Sequence, residues 1–332
     1  MIVASRFLIG GLVLAAIVIG LGSAAPAQDR AKRAKALIER AREKRAAPSD
    51  PNPTAITASG TYRFHFNYGG LTREYLVHVP AKAIGHPSPM LLALHGGGGD
   101  MDFQADNYGL VEKSEQAGFI AVFPNGYSRF RSGILATWNA GTCCGKAVEE
   151  KVDDVGFLKA VIQRVAAQAN VDRNRIYATG MSNGALMSYR LACELPDLIR
   201  AIAPVAGTDN TIACKPSRPV PVIHFHARDD SHVMFNGGSG PDALTKTNFT
   251  PVAATVAKWV ALDRASPRGK AVVSVPGARC ELHTGPAPVE LCVTETGGHS
   301  WPGSHARRAN KNPSQAISAN DLMWDFFSSL SR

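Results

Sequence analysis

No C-x-x-C pair occurs anywhere in this chain, so its six cysteines among 332 residues lack the ligand spacing of a structural zinc site. The long glycine run, His95-Gly-Gly-Gly-Gly99, lacks the Lys-Ser/Thr ending of a phosphate loop and the spacing of a dinucleotide fingerprint. Nucleotide chemistry loses its main motif, and no cofactor is expected. Internal repeats are absent, and nothing past residue 59 marks a boundary to a second domain. Net charge is small outside one segment: eight Lys/Arg and two Glu between Arg30 and Arg45 carry +6 of the net +9, residues 1–29 sum to zero, and the remainder holds only +3. A nearly balanced folded part argues against a nucleic-acid partner.

The first residues have the pattern of a secretory leader. Arg6 supplies the charged start, Phe7 to Leu21 the apolar run, and Ala25-Pro-Ala27 a small-residue cleavage site. Residues 1–27 are therefore expected to be a signal peptide. Residues 28–58 are expected to form a basic arm and a linker marked by Pro48, Pro51 and Pro53, and residues 59–332 the folded domain. Membrane contact is expected only through the leader or the arm. Export to the periplasm or medium allows disulfides, and an even count lets every cysteine pair. The economical pairing joins Cys280 to Cys292 and Cys193 to Cys214, with Cys143 and Cys144 bonded to each other or exchanged with those partners.

Hydrophobic periodicity gives the architecture. Alternating runs at 61–67 and 72–79 around Gly69-Gly70 predict an antiparallel hairpin. Continuous apolar runs at 90–94 and 119–123 predict strands buried on both faces, further strands are expected at 175–179, 201–205 and 220–226, and two more bracket Cys280 and Cys292. Helices are expected at 104–117, 153–170, 184–193, 251–263 and 314–330. Strands alternating with helices after an antiparallel start predict an α/β fold: a mixed, mostly parallel sheet with helices on both faces. Residues 124–150 and 231–250 break the rhythm as long loops, the places where a substrate would be chosen.

Gly180-Met181-Ser182-Asn183-Gly184 is G-x-S-x-G between a predicted strand and a predicted helix, the setting of a nucleophile elbow. Acyl transfer from Ser182 needs a base, a group that orients the base, and donors for the oxyanion. In α/β-hydrolases the chain order is Ser, acid, His. The acid position falls at Asp229 or Asp230, at the carboxyl end of a strand, and His299 follows in the glycine-rich loop Gly297-Gly-His-Ser-Trp-Pro-Gly303. Backbone N–H groups of the His95–Gly99 loop and of Asn183 can face an oxyanion. His224 and His226 alternate on one strand as metal ligands would, but no third ligand accompanies them, and a hydrogen-bonded role at the core or rim is the better reading. Trp138, Phe235 and Trp301 are candidates for the substrate pocket.

Several segments in one order resemble the secreted α/β-hydrolase esterases classed as polyhydroxybutyrate depolymerases and feruloyl esterases, near carbohydrate esterase family one. They are Leu94-His-Gly-Gly-Gly-Gly99, Trp138-Asn-Ala-Gly-Thr-Cys-Cys-Gly145, Val152-Asp-Asp-Val-Gly-Phe-Leu158, Tyr177-Ala-Thr-Gly-Met-Ser-Asn-Gly184, Ala203-Pro-Val-Ala-Gly207, Gly297–Gly303 and Trp324-Asp-Phe-Phe327. The resemblance spans about residues 60–330 and implies the α/β-hydrolase fold, with Ser182 as nucleophile and His299 as base. Aligning His226-Ala-Arg-Asp-Asp-Ser-His-Val-Met-Phe-Asn-Gly-Gly238 with the family segment places the acid at Asp230, while Ala227, Ser231 and Met234 depart from it. Gly97 and Asn183 would form the oxyanion hole. The substrate would be a small or oligomeric ester, of hydroxyalkanoate, feruloyl or acetyl type. The rival readings are a serine peptidase on the same triad, or a non-catalytic cell-envelope or carbohydrate-binding protein on this scaffold.

Overall fold

The computed structural model describes residues 54–305 and 312–330. The expected leader, and the arm and linker up to residue 53, lie outside the described residues.

Ten strands among the described residues form one sheet in the order β1-β2-β4-β3-β5-β6-β7-β10-β9-β8. Strands β1 (Gly60–Tyr68) and β2 (Leu71–Val79) are the antiparallel hairpin at one edge. The middle is parallel: β3 (Ser88–Leu94), β4 (Ile120–Pro124), β5 (Val171–Met181), β6 (Ala201–Val205), β7 (Val222–Ala227) and β10 (Val289–Thr294). At the far edge β9 (Ala278–His283) and β8 (Lys270–Val275) return antiparallel. The α/β-hydrolase class expected from the sequence is the observed one.

Strand alternation divides the core into two layers. Met90, Leu92 and Leu94 of β3 join Ile120 and Val122 of β4 on one face, whereas Leu91, Ala93, Ala121 and Phe123 face the other. Each face is closed by helices. Phe157, Leu158, Val161, Ile162 and Val165 of α4 (Asp154–Gln168) pack on the first face with α5 (Asn183–Glu194) and α6 (Val252–Leu262). Met323, Phe326 and Phe327 of α7 (Ala319–Ser329) cover the second, beside α1 (Met101–Asn107) and α2 (Leu110–Ala117). A strand covered on both sides needs apolar residues at every position, which is why β3 and β4 read as unbroken runs.

Three expectations change. The helix predicted at 104–117 is two helices, broken at Gly109, whose φ of 67° lies in the left-handed region. The closing helix starts at Ala319 rather than 314, where the Ser318 hydroxyl accepts the Asp321 N–H and fixes its first turn. Strand β8 was not anticipated: almost all of it is exposed, so burial left no mark on its composition. The irregular stretch 124–150 contains one short helix, α3 (Gly145–Glu149). Disulfides join Cys193 to Cys214, Cys280 to Cys292 and Cys143 to Cys144, the economical pairing. No helix among the described residues is long and apolar enough to cross a membrane.

Candidate active site

Strand β5 ends at Met181 and α5 begins at Asn183, which leaves one residue to reverse the chain. Ser182 takes φ 56° and ψ −118°, a conformation that costs a non-glycine residue about 1–3 kcal/mol. Its N–H donates to the Val205 carbonyl at 2.9 Å and its carbonyl accepts the Leu186 N–H at 3.0 Å, so the strand beside it and the helix after it hold the strain. The flanking glycines are required by close approach. A Cβ on Gly180 would stand 2.5 Å from the Gly184 carbonyl carbon, and one on Gly184 would run into the Leu94 and His95 carbonyl oxygens.

The glycine loop after β3 is held against the elbow by hydrogen bonds from both sides. His95 Nε2 accepts the Gly126 N–H at 2.8 Å, so the ring hydrogen sits on Nδ1 and is donated to the Gly96 carbonyl at 2.9 Å. Trp138 links this loop to α5. Its indole N–H donates to the His95 carbonyl at 3.0 Å, its backbone N–H to Asn183 Oδ1 at 2.7 Å, and its carbonyl accepts Asn183 Nδ2 at 3.0 Å. Gly97 is thereby brought beside Asn183, where a Cβ added to it would lie 3.5 Å from the Asn183 Cβ. The N–H groups of Gly98 and Gly99 are engaged by the Ala136 and Gly96 carbonyls at 2.9 Å each.

Asp230 and His299 meet across the ends of β7 and β10. Asp230 is buried, and its Oδ2 accepts His299 Nδ1–H at 2.8 Å while its Oδ1 accepts the backbone N–H groups of His232 at 2.8 Å and Val233 at 3.0 Å. Burial works to raise the Asp230 carboxyl, but the adjoining His299, then His226 and the His232 N–H, hold it below the ordinary carboxylate value. Asp229 acts one step away, where its Oδ1 accepts the Gly298 N–H at 2.7 Å and pins the loop that carries His299. The choice between the two acids is therefore a division of labour, one touching the imidazole and one touching its loop. The His232 ring stacks on the His299 ring, with centroids 4.6 Å apart and planes at 11°.

Gly97, Ser182, Asn183 and His299 line one cavity of about 320 Å³, together with Gly98, Thr137, Cys144 and Gly145. Its remaining wall comes from the 231–250 loop: His232, Val233, Ala243, Leu244, Thr245 and Phe249. Such a volume suits a small organic group.

The three aromatic residues expected in the pocket lie elsewhere. Trp138 is fully buried behind the glycine loop in the suturing role just described. Trp301 is buried on Tyr108, ring centroids 4.8 Å apart, with its indole N–H on Asn320 Oδ1. Phe235 is half-buried against the His226 ring and beneath the Arg228 guanidinium. Aromatic content marks large buried surfaces in general, so it did not discriminate a cavity wall from the core. The two irregular loops were the better signal, since Thr137, Cys144 and Gly145 come from one and His232 to Phe249 from the other.

Atoms of Asp230, His232 and His299 lie within 4.8 Å of one another, close enough to share a metal ion. Both Asp230 oxygens and His299 Nδ1 are already committed to each other or to backbone N–H groups, which makes the set a poor metal cage. His224 and His226 are buried and hydrogen-bonded to each other at 3.1 Å.

The model of the dienelactone hydrolase family matches residues 78–250. Feruloyl esterase B of Piromyces equi is 30% identical over 238 residues, covering 69% of this chain and 42% of that protein. The bifunctional acetylxylan esterase/xylanase XynS20E of Neocallimastix patriciarum is 28% identical over 192 residues, 54% of this chain and 26% of that protein. The chain thus spans less than half the length of either relative. Among solved structures, an acetyl xylan esterase from Aspergillus awamori superposes with a TM-score of 0.53 over 77% of this chain and 94% of its own, at 14% identity, a likeness of fold.

Proposed function

Since the chain belongs to the dienelactone hydrolase family and has the α/β-hydrolase fold, we propose that it is an exported serine carboxylic-ester hydrolase working through Ser182, His299 and Asp230. The observation that carries this reading is the 2.8 Å bond from His299 Nδ1–H to Asp230 Oδ2, with Ser182 on a strained elbow lining the same cavity as His299.

With its Nδ1 hydrogen held by Asp230, neutral His299 presents an unprotonated Nε2. That nitrogen takes the Ser182 proton as Oγ bonds to the ester carbonyl carbon, and the carbonyl oxygen gains the negative charge. Backbone N–H groups of Gly97 and Asn183 stabilise this oxyanion, each worth roughly 3–4 kcal/mol. The imidazolium returns the proton to the leaving alkoxide, and an acyl-Ser182 ester remains. Water repeats the sequence and releases the acid.

The acyl group is feruloyl or acetyl on a plant polysaccharide, a substrate class suggested by the names of the two relatives and compatible with the Val233, Ala243, Leu244 and Phe249 wall. Export is supported by the three disulfides and by the leader pattern. Turnover of methyl ferulate, acetylated xylan and hydroxybutyrate oligomers by wild type and Ser182→Ala tests both parts. Loss of all activity in the variant is expected, with ferulate or acetyl esters preferred. Wild-type rates in the variant would refute the mechanism, and a preference for hydroxybutyrate oligomers would refute the substrate.

A further inference from the structure

Outside the cavity lining, behind Asp230, lies a file of buried polar groups that the mechanism above does not use. Residues two apart on a strand share a face, so His224 and His226 of β7 stack, with centroids 5.3 Å apart and planes at 9°. Tyr189, on the helix that opens at the elbow, places its hydroxyl 2.7 Å from His224 Nδ1. His224 Nε2 lies 3.1 Å from His226 Nδ1. His226 Nε2 lies 2.7 Å from the Val233 carbonyl and 3.4 Å from Asp230 Oδ2, the oxygen that accepts His299. Tyr189, His224, His226 and Asp230 are all buried.

The hydrogens in this file have one consistent direction. A carbonyl and a carboxylate oxygen only accept, so His226 Nε2 must carry a hydrogen. Burial disfavours a second proton on either imidazole, with His226 adding to the effect on His224, while Asp230 works the other way on His226. A neutral His226 therefore accepts at Nδ1. His224 must then donate from Nε2 and accept at Nδ1, and the Tyr189 hydroxyl donates into it. Burial holds the Tyr189 phenol well above its ordinary value, so that hydrogen stays in place.

The far end grips the carboxylate from both sides. Val233 gives its N–H to Asp230 Oδ1 and its carbonyl to His226, whose N–H also borders Oδ2. Rotation of the carboxylate would break the Val233 bond and turn a lone pair away from His299.

We propose that Tyr189, His224 and His226 form a directed hydrogen-bond chain that positions Asp230, and through it His299, for proton transfer from Ser182. The proposal rests on the triad reading. No proton travels along the chain; its members are positioning residues, and their loss reduces kcat rather than substrate binding.

The test compares His226→Leu, His226→Gln and Tyr189→Phe, with rates expressed per site titrated by a fluorophosphonate and with Asp230→Asn as control. His226→Leu is expected to lower kcat about 30- to 100-fold with KM within about 2-fold. His226→Gln, whose amide N–H can reach the Val233 carbonyl, recovers to within about 5-fold of wild type. Tyr189→Phe, which removes one hydroxyl outside the cavity lining, lowers kcat about 2- to 5-fold. Each loss is accompanied by movement of the low-field proton resonance of the His299–Asp230 hydrogen bond. Unchanged kcat per titrated site in His226→Leu, or a Gln variant no better than Leu, overturns the chain. An active Asp230→Asn would instead overturn the triad on which it rests.

Discussion

Replacing Asp230 by Asn changes one atom and removes one charge, and the structure fixes how the amide must sit. Oδ1 accepts two backbone N–H groups, from His232 and Val233. An amide with its oxygen there keeps both bonds. The inverted amide would face two buried N–H donors with its own NH2, forfeiting bonds worth about 1 kcal/mol each and leaving donors whose desolvation costs about 1–3 kcal/mol each. The inverted form is thus disfavoured by at least about 2 kcal/mol and holds no more than about one molecule in thirty. In the favoured form the NH2 points at His299, whose Nδ1 must become an acceptor and whose hydrogen moves to Nε2. That tautomer cannot take the Ser182 proton. We expect kcat to fall at least about 30-fold, toward the roughly 10⁴-fold loss seen when a triad histidine is held in the wrong tautomer. Initial rates on a chromogenic short-chain ester, divided by folded protein, measure it. Asp229→Asn serves as the comparison, since its amide oxygen can still accept the Gly298 N–H, and it should lose less than about 5-fold. A loss under 10-fold in Asp230→Asn, or an equal loss in both variants, would refute the reasoning.

Other perturbations probe other parts of the molecule. The Asp263 carboxyl, at the C-terminus of α6, is pushed up to about 8 by burial, with the Val220 N–H working the other way. A folded-state value raised above the unfolded one gives stability that is present below about pH 4 and drains away as pH climbs toward 8. Asp263→Asn should therefore gain up to about 4 kcal/mol on wild type at pH 7 and little at pH 4. Urea unfolding at both pH values checks this, and parallel curves would contradict it. Breaking the Cys193–Cys214 bridge by Ser substitution opens a loop with 21 residues of separation and should cost about 3 kcal/mol by chain entropy, read as a lower Tm. Leu244 is 81% exposed at the cavity wall, so Leu244→Ala should leave stability within about 0.5 kcal/mol and raise KM for an aromatic ester about 3- to 5-fold. A change in Tm without one in KM would remove Leu244 from the substrate path.

How much was legible from the sequence followed from how local the constraint was. The elbow could be read because a one-residue reversal needs glycines where backbones touch, and Gly180 and Gly184 stand at those contacts. The doubly covered strands could be read because burial on both faces admits only apolar side chains, as in Met90–Leu94. The break at Gly109 and the exposed strand β8 escaped, since a helical period can continue through a left-handed residue and an edge strand need not be apolar.

By itself, then, the sequence determined the α/β layering, the tight turn presenting Ser182 and the chain order that put an acid and then a histidine after it. Periodicity, glycine and order are properties of neighbouring residues. The family resemblance already pointed to Asp230 as the acid. Only the tertiary structure decided that Asp229 holds the loop carrying His299, and that Trp138 and Trp301 belong to the core. It also decided that Tyr189, His224 and His226 stand in line behind the acid. Those outcomes depend on which strand ends and loops meet in space, and pairings between residues tens of positions apart leave no period in the chain for a reader to find.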